Sequence, residues 1–467
     1  MAFSYEAASK LFRDGEFLAL IQASGRSHDE RRACEPRQRG IVANALALVG
    51  QLEAAQRLAE LDRDTPTPPA IRSQAESTLC VIQRRLGNHI AALHHAQAAV
   101  FLAQESSEAE RIAWAQLHLF RVLIEIGPFD KAVAALADTR RLVAKAGSND
   151  AIAYLHICVS ILEGQVGRLD EARRHCDIAE GLLQRSTNVW LSASCLVNRG
   201  CIAWLNCHLD EASDLFRVAR EKASRSGHGY LIQATDTGIG YTHMLMGDLA
   251  RAEQTYFAAS RDATADIGSR LSSLGGLARV HLASGRIEEA QRVIDQITER
   301  LSRTECAGLI YHVRWATITQ ARLLINRRRH NEAIALLNVA EEQSRAHRET
   351  PLIATVQLTH ALAAARNGDG RESAKRIVRA NEVNATSIRE VQAEYYYGCA
   401  VTVGANHELA RCLRQRARRL WASQGVVSIE RELDNALSVA TPSENDPTVV
   451  PSTCTDVITN SLVDRTH

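Results

Sequence analysis

The sequence repeats itself with a period of about 40 residues, and this constrains its fold more than any other feature. A turn residue, usually Gly, is followed five positions later by a small residue, as in Gly167 and Ala172. Ala132, Ala172, Ala212 and Ala252 mark four equally spaced copies. A period of this size is typical of helical units that bury their apolar faces by stacking on one another. With weaker copies at both ends, the chain contains about eleven units.

Each unit also has an internal pattern. The residue seven positions before the turn is small in ten of the eleven copies, and a larger one, such as Phe216 or Tyr256, follows the second small residue by four positions. Two antiparallel helices can cross closely where small side chains meet, with a large side chain filling the space one turn away. The pattern therefore predicts helical hairpins and an all-α chain. The small positions are Ala8, Ala43, Cys80, Ser160, Gly200, Gly240, Ala278, Ala321, Ala361 and Gly398, with Phe120 as the exception.

Over roughly residues 3–425, this order of small, turn, small and large residues resembles the tetratricopeptide repeats. The period is longer than that family's usual length of about 34 residues. It is similar to that of the regulatory arms of LuxR-type bacterial activators such as the maltose regulator, and of some activators of the alternative sigma factor. The resemblance implies a right-handed α-solenoid that binds a protein or peptide in its concave groove. A regulatory arm that acts in trans, or that is truncated from its effector domain, is the alternative it leaves open.

The end of the chain has a different composition. Residues 416–440 indicate a last helix, a break at Gly425 and a capping helix, which the exposed end of a solenoid needs. From about residue 441 the helical periodicity is lost, and Pro, Ser, Thr and Asn become frequent. We therefore expect a solenoid over residues 1–440 and a disordered tail or linker over 441–467.

The sequence carries no recognisable catalytic motif, such as HExxH, GxxxxGK[ST] or GxSxG, so we predict a protein that is not an enzyme and needs no cofactor. Eleven cysteines occur singly, which predicts reduced thiols and a cytoplasmic location. Cys201 and Cys207 are six positions apart, about 120 degrees from a shared helical face, so no metal site is expected there. No apolar run is long enough to span a membrane.

The resemblance implies that one position per unit, six residues before the turn, lines the concave groove. Four units carry Arg or Tyr there, and two others carry Arg or Trp three residues further on. Arg, Trp and Tyr dominate binding hot spots, which favours an acidic or amphipathic peptide as the partner. The alternative is that the arginines are solvated and the aromatic side chains pack between units. The candidate binding residues are Arg84, Arg121, Trp204, Tyr241, Arg279 and Arg322.

The net charge of +1 argues against a chain devoted wholly to nucleic acid or to an anionic membrane. The charge is uneven, however: residues 321–420 carry a net +7 and residues 421–467 a net −5. The basic units leave open a second alternative, binding of nucleic-acid phosphate. A solvated face or a dock for the acidic tail is the favoured interpretation of these units. Pairing of solenoids through end units or outer helices leaves a homo-oligomer open as well.

Overall fold

The computed structural model describes residues 3–262, 266–302, 311–384, 388–404 and 407–438. This described part contains 24 helices and no strand. The helices of the first half are α1 (Tyr5–Asp14), α2 (Phe17–Ala23), α3 (His28–Arg32), α4 (Pro36–Val49), α5 (Leu52–Asp64), α6 (Pro69–Arg85), α7 (His89–Ser106), α8 (Ala109–Ile126), α9 (Phe129–Ala146), α10 (Asn149–Gln165), α11 (Leu169–Leu183) and α12 (Val189–Leu205). Those of the second half are α13 (Leu209–Ser226), α14 (Gly229–Leu245), α15 (Leu249–Arg261), α16 (Ile267–Ala283), α17 (Ile287–Leu301), α18 (Tyr311–Asn326), α19 (His330–Ala346), α20 (Thr350–Arg366), α21 (Gly370–Glu382), α22 (Arg389–Val403), α23 (Glu408–Ser423) and α24 (Ser428–Leu437).

Twenty-two of these helices form eleven antiparallel hairpins, from α1 with α2 to α22 with α23, and only the short helices α3 and α24 stand outside the pairs. The first helices of neighbouring hairpins also pack against one another, as α10 does against α12. This confirms the prediction of an all-α solenoid of about eleven units.

The turns follow the local chemistry that the repeat predicts. Gly167 and Gly247 have φ angles of 77° and 84°, in the left-handed region that favours glycine. The N–H of Arg168 donates to the carbonyl oxygen of Glu163 across the turn and so ends α10. Cys207 replaces glycine in one copy and still adopts this conformation, with φ 55°.

Small residues allow close helix crossings where the repeat pattern places them. A Cβ atom added to Gly200 would lie 2.8 Å from the ring of Phe216, and one added to Gly240 would lie 2.9 Å from the ring of Tyr256. Both rings are fully buried. The predicted pairing of small and large residues is therefore confirmed at these units.

The solenoid coils tightly enough to contact itself about five units further along. Thr187, just before α12, donates a hydrogen bond to Asp14 at the end of α1. Arg348 forms a salt bridge of 3.0 Å with Asp130. Gly167 lies against Thr350. Successive superhelical turns therefore touch one another, and the first helices of the hairpins line the concave groove inside them.

Helix α24 lies inside this groove, against α14, α16 and α18. The amide of Val427 donates to the carbonyl oxygen of Leu245 at 2.7 Å, and the side chain of Asn435 donates to the carbonyl oxygens of Leu282 and Ala283 at the end of α16. A helix after Gly425 thus exists where the sequence predicts one, and it contacts units far from its own position in the chain. The predicted tail, residues 441–467, lies outside the described residues, and the domain limits stay a prediction.

Among the described helices, none combines the length and the apolar composition that crossing a bilayer requires.

Candidate functional site

Two predicted residues, Arg84 and Arg121, meet in the first half of the groove. Arg84 on α6 donates through Nε to Oε2 of Glu125 at 2.7 Å, and Arg121 Nη2 lies 2.8 Å from Oε1 of the same carboxylate. The three side chains keep 17%, 12% and 25% of their surface exposed. Burial disfavours the charged carboxylate, but the positive charges of Arg121 and Arg84 outweigh this effect and lower the pKa of Glu125 to about 2.

Two further arginines lie on the same helices. Arg85 donates to the carbonyl oxygen of Leu48 at 2.9 Å, and burial lowers its pKa to about 10. Arg111 donates to the side-chain oxygen of Gln74 at 2.9 Å, while its buried Nε has no hydrogen-bond partner. Within the described residues, Glu125 is the one carboxylate in salt-bridge contact with any of these four arginines. We call Arg84, Arg85, Arg111 and Arg121 the N-terminal arginine cluster.

Aromatic rings continue along the same stretch. The ring of Trp114 stacks on Tyr154 with centroids 5.7 Å apart, and Tyr154 meets Trp190 edge-on at 5.6 Å. Trp190 in turn lies 5.9 Å from the ring of His228. These four residues, the aromatic ladder, lie on or next to the first helices of four successive units. Sequence reasoning missed them, although Trp114 and Tyr154 are separated by one full repeat and therefore occupy equivalent positions in their units.

His118 lies on α8 one turn beyond Trp114. Its buried Nδ1 has no hydrogen-bond partner. Burial, with smaller contributions from Arg84 and Arg111, lowers the pKa of His118 to about 4. The side chain is therefore neutral near pH 7, and it adds no charge to the groove.

The second half of the groove contains Arg279 and Arg322, which both form salt bridges with Glu432 of α24. Arg279 Nη2 donates to Oε2 of Glu432 at 3.0 Å, and Arg322 Nη1 donates to Oε1 at 2.6 Å. Arg322 also donates to Glu394 at 3.0 Å. Glu432 is fully buried, and although burial opposes its ionisation, the charges of Arg279 and Arg322 lower its pKa. This carboxylate arrives on a helix that is not part of any hairpin.

Trp204 and Tyr241 connect the two halves. Their rings meet edge-on, 4.8 Å between centroids, and the guanidinium of Arg279 lies 5.3 Å over the ring of Tyr241. The hydroxyl of Tyr241 donates to Glu390 Oε1. Burial raises the pKa of Glu390 to about 7, despite the opposing effects of the Tyr241 hydrogen bond and of the Arg279 charge.

Glu390 makes a testable contribution to the pH dependence of stability. The unfolded chain releases this proton near its ordinary pKa of 4.5, and the folded protein near 7. Stability from this group is therefore fully present below pH 4.5 and is lost as pH rises toward 7. We compare the free energy of unfolding of Glu390→Gln with that of the parent protein at each pH. This difference should be about 1–3 kcal/mol more favourable to the variant at pH 8 than at pH 5. Urea unfolding at both pH values measures this difference.

The matched control for this prediction is Glu253→Gln. Arg286, through a hydrogen bond to its carboxylate, holds the pKa of Glu253 below its ordinary value, so its ionisation barely changes between pH 5 and pH 8. The effect of Glu253→Gln on the free energy of unfolding should therefore be nearly the same at pH 5 and at pH 8. An equal pH response of the two variants would contradict the assignment to Glu390.

The four candidate arginines thus fall into two settings, and Trp204 and Tyr241 lie between them. Arg84 and Arg121, 17% and 12% exposed, pair with Glu125 of a groove helix, whereas Arg279 and Arg322, 10% and 1% exposed, pair with Glu432 of α24. The alternative in which these arginines are merely solvated is wrong, because each is paired with a carboxylate. The packing of aromatic side chains between units is confirmed for Trp204 with Tyr241. A role for the six residues in binding a partner stays a prediction.

Histidines and cysteines occur throughout the groove helices and could in principle bind a metal. In the described ranges, no three His, Cys, Asp or Glu side chains lie close enough to hold a metal ion, and the nine cysteines there are free. Cys306 and Cys454 lie outside those ranges. His156 and His175 face each other with Nδ1 atoms 2.7 Å apart beside a cavity of about 210 Å³. Burial lowers the pKa of His156 to about 4.

Several arginines of the basic units 321–420 are engaged in salt bridges. Arg327 pairs with Glu288 at 2.9 Å, and Arg329 pairs with Glu332 at 2.6 Å. Arg418 pairs with Glu430. Glu288 and Glu430 lie outside residues 321–420, so their pairs with Arg327 and Arg418 neutralise part of the net +7 of this region.

The hairpin array and its groove define the class: an all-α solenoid of helical hairpins, whose groove is partly filled by its own last helix. The chain is similar in fold to a Rap protein complexed with competence and sporulation factor, with a TM-score of 0.56 and 10% identity over 76% of this chain and 99% of that one. Two further solved structures match with lower TM-scores. The yeast Tom70 matches at 0.39, with 10% identity over 99% of this chain and 96% of that one, and the APC/C hetero-tetramer Cut9–Hcn1 matches at 0.37, with 11% identity over 88% and 89%.

The likeness to the Rap protein agrees with the predicted all-α solenoid fold. Because the sequence identity is so low, the likeness to the Rap protein concerns the fold alone. No protein-family model matches the sequence, and the comparison with curated proteins found no match. The finer resemblance to LuxR-type and sigma-factor-dependent activators stays a prediction.

Proposed function

We propose that this chain is a non-enzymatic scaffold that binds a protein or peptide segment in the first half of its concave groove. The observation that carries the proposal is the position of α24 in the groove. There a ten-residue helix already occupies the second half of the groove, with Glu432 held between Arg279 and Arg322. The inner face is thus suited to receiving a helical segment, and helix-in-groove binding is a recurring mode of peptide recognition.

The first half of the groove has the same residue types but no such segment among the described residues. Arg84 and Arg121 lie beside an aromatic ladder in which Trp114 and Trp190 are half-buried, and binding hot spots combine such guanidinium groups and rings. That the Rap protein, a neighbour in fold, is complexed with a factor is compatible with this use of the solenoid.

The test is partner capture with a groove variant. The tagged full chain and a Trp114→Ala/Arg121→Gln variant are used to purify bound proteins from the native host. We expect a protein partner on the parent chain and at least a tenfold loss on the variant, because truncating hot-spot residues commonly costs about 2 kcal/mol each.

The matched control is Phe101→Ala/Arg286→Gln, which also removes one aromatic ring and one arginine, here outside the groove. Phe101 is 62% exposed on α7, and Arg286 pairs with Glu253 at a turn. Circular dichroism checks that both variants are folded. Retention of the partner by the groove variant, or equal loss from both variants, contradicts binding in the groove.

Two alternatives have their own outcomes. A regulatory arm acting in trans would capture a component of the transcription machinery. Nucleic-acid binding through the basic units would give a mobility shift that weakens steeply with salt. The salt bridges of Arg327, Arg329 and Arg418 favour the protein-binding proposal over this last alternative.

A further inference from the structure

We infer that the N-terminal arginine cluster is a receptor site for a carboxylate of the bound segment, so that the partner is an acidic peptide with apolar neighbours. This inference rests on the proposed function and specifies the chemistry of its ligand. It comes from comparing the two halves of the groove.

The second half shows how the groove holds a carboxylate. Arg279 and Arg322 lie on the first helices of neighbouring units, α16 and α18, and both donate to Glu432. That carboxylate belongs to a segment lying in the groove and not to either helix. Arg84 and Arg121 likewise lie on the first helices of neighbouring units, α6 and α8, and converge on one carboxylate. Here the carboxylate, Glu125, belongs to α8 itself.

The charge balance of the two halves differs. Around Glu432, two arginines face three carboxylates, those of Glu390, Glu394 and Glu432. In the N-terminal arginine cluster, Glu125 is, among the described residues, the one carboxylate in direct contact, and it pairs with two of the four arginines. Asp266 acts on Arg85, and Glu108 and Glu110 act on Arg111, without a salt bridge to either arginine. Arg85 and Arg111 have only neutral oxygen partners, and burial lowers the pKa of both. A buried cation without a directly paired counter-charge is costly, so a second carboxylate entering this stretch is stabilised.

The aromatic ladder specifies what accompanies that carboxylate. Trp114 and Tyr154 border the cluster, and the charges of Arg121 and Arg84 act on the Tyr154 hydroxyl. Rings of this kind bury apolar side chains, as Ile429 and Leu433 of α24 are buried beside Glu432 in the other half. An acidic residue flanked by apolar ones therefore fits this stretch better than a small, fully hydrated anion.

Glu125 gives the inference a test in which the effect has an unusual sign. In the free protein Glu125 occupies Arg84 and Arg121, and so competes with an incoming carboxylate. Glu125→Gln should tighten binding of an acidic peptide by about tenfold, since charge-assisted hydrogen bonds of this kind contribute roughly 1.5–3 kcal/mol. Arg121→Gln should weaken binding by a similar factor. A variant that merely damages the fold cannot tighten binding.

The probes are three fluorescein-labelled hexapeptides measured by anisotropy against the full chain. One alternates glutamate with leucine and is amidated; one alternates glutamine with leucine and ends in a free carboxylate; the third is the amidated glutamine peptide without a carboxylate. Binding of the first or second supports the inference and tells whether side chains or the chain terminus supply the carboxylate. The control variant is Arg286→Gln, which should change none of the affinities.

Three results would overturn the inference. The third peptide binds as tightly as the other two, or inorganic phosphate at the same concentration as the peptide displaces it fully. The third such result is that Glu125→Gln and Arg121→Gln leave the peptide affinities unchanged. If none of the probes binds while partner capture still depends on Trp114 and Arg121, the scaffold function stands and the carboxylate assignment fails. If capture is also insensitive to the groove, both fail.

Discussion

Replacing Glu432 by Gln is expected to lower the free energy of unfolding by about 3–5 kcal/mol, because it leaves Arg279 and Arg322 buried without their shared counter-charge. Glu432 is fully buried, so solvent cannot compensate for the lost ion pairs. The effect should be local to the second half of the solenoid, since stability in repeat proteins is built from neighbouring contacts. Urea unfolding followed by circular dichroism measures the loss, and hydrogen exchange should show it in α16, α18 and α24.

The control for Glu432 lies two residues earlier on the same helix. Glu430 pairs with Arg418, whose side chain is 59% exposed, so Glu430→Gln should cost less than about 1 kcal/mol. Similar losses of unfolding free energy from Glu432→Gln and Glu430→Gln would show that the ion pairs of Arg279 and Arg322 do not hold α24 in the groove.

The hairpins could be predicted from the sequence because their determinants are local. A glycine at the turn, as at Gly167, and a small residue five positions on act within one unit. Regular repetition then makes each copy evidence for the others, so even the copy with Cys207 at the turn fits the pattern.

The position of α24 could not be predicted in this way, because its contacts are remote in sequence. Glu432 is 110 residues from Arg322 and 153 residues from Arg279 in the sequence, and the repeat pattern does not indicate such pairs. The uneven charge indicated that the acidic end could dock on basic units. The structure places one such contact, that of Glu432, deep in the groove. A second contact, that of Glu430 with Arg418, lies on the exposed arginine-rich helix α23.

The candidate site was partly predictable for the same reason. Arg84, Arg121 and Tyr241 could be selected because the resemblance assigns groove positions by their distance from the turn. That Arg84 and Arg121 converge on Glu125 depends on the distance between α6 and α8, which the sequence does not contain. Trp190 was missed because it lies further from the turn than the positions considered, near the start of α12.

The packing of small against large residues leads to the second large effect. Phe216→Ala is expected to lower the free energy of unfolding by about 3–5 kcal/mol, since the ring is fully buried and its removal leaves a cavity. Gly200 and Gly238 approach so closely that added Cβ atoms would lie 2.8 and 2.5 Å from the ring, so no neighbouring side chain can refill the space.

The control is Phe257→Ala, at a ring that is 50% exposed on α15, and it should lower the free energy of unfolding much less, within about 1 kcal/mol. Urea unfolding of both variants decides the matter, and equal losses would show that the crossing of α12, α13 and α14 does not depend on this ring.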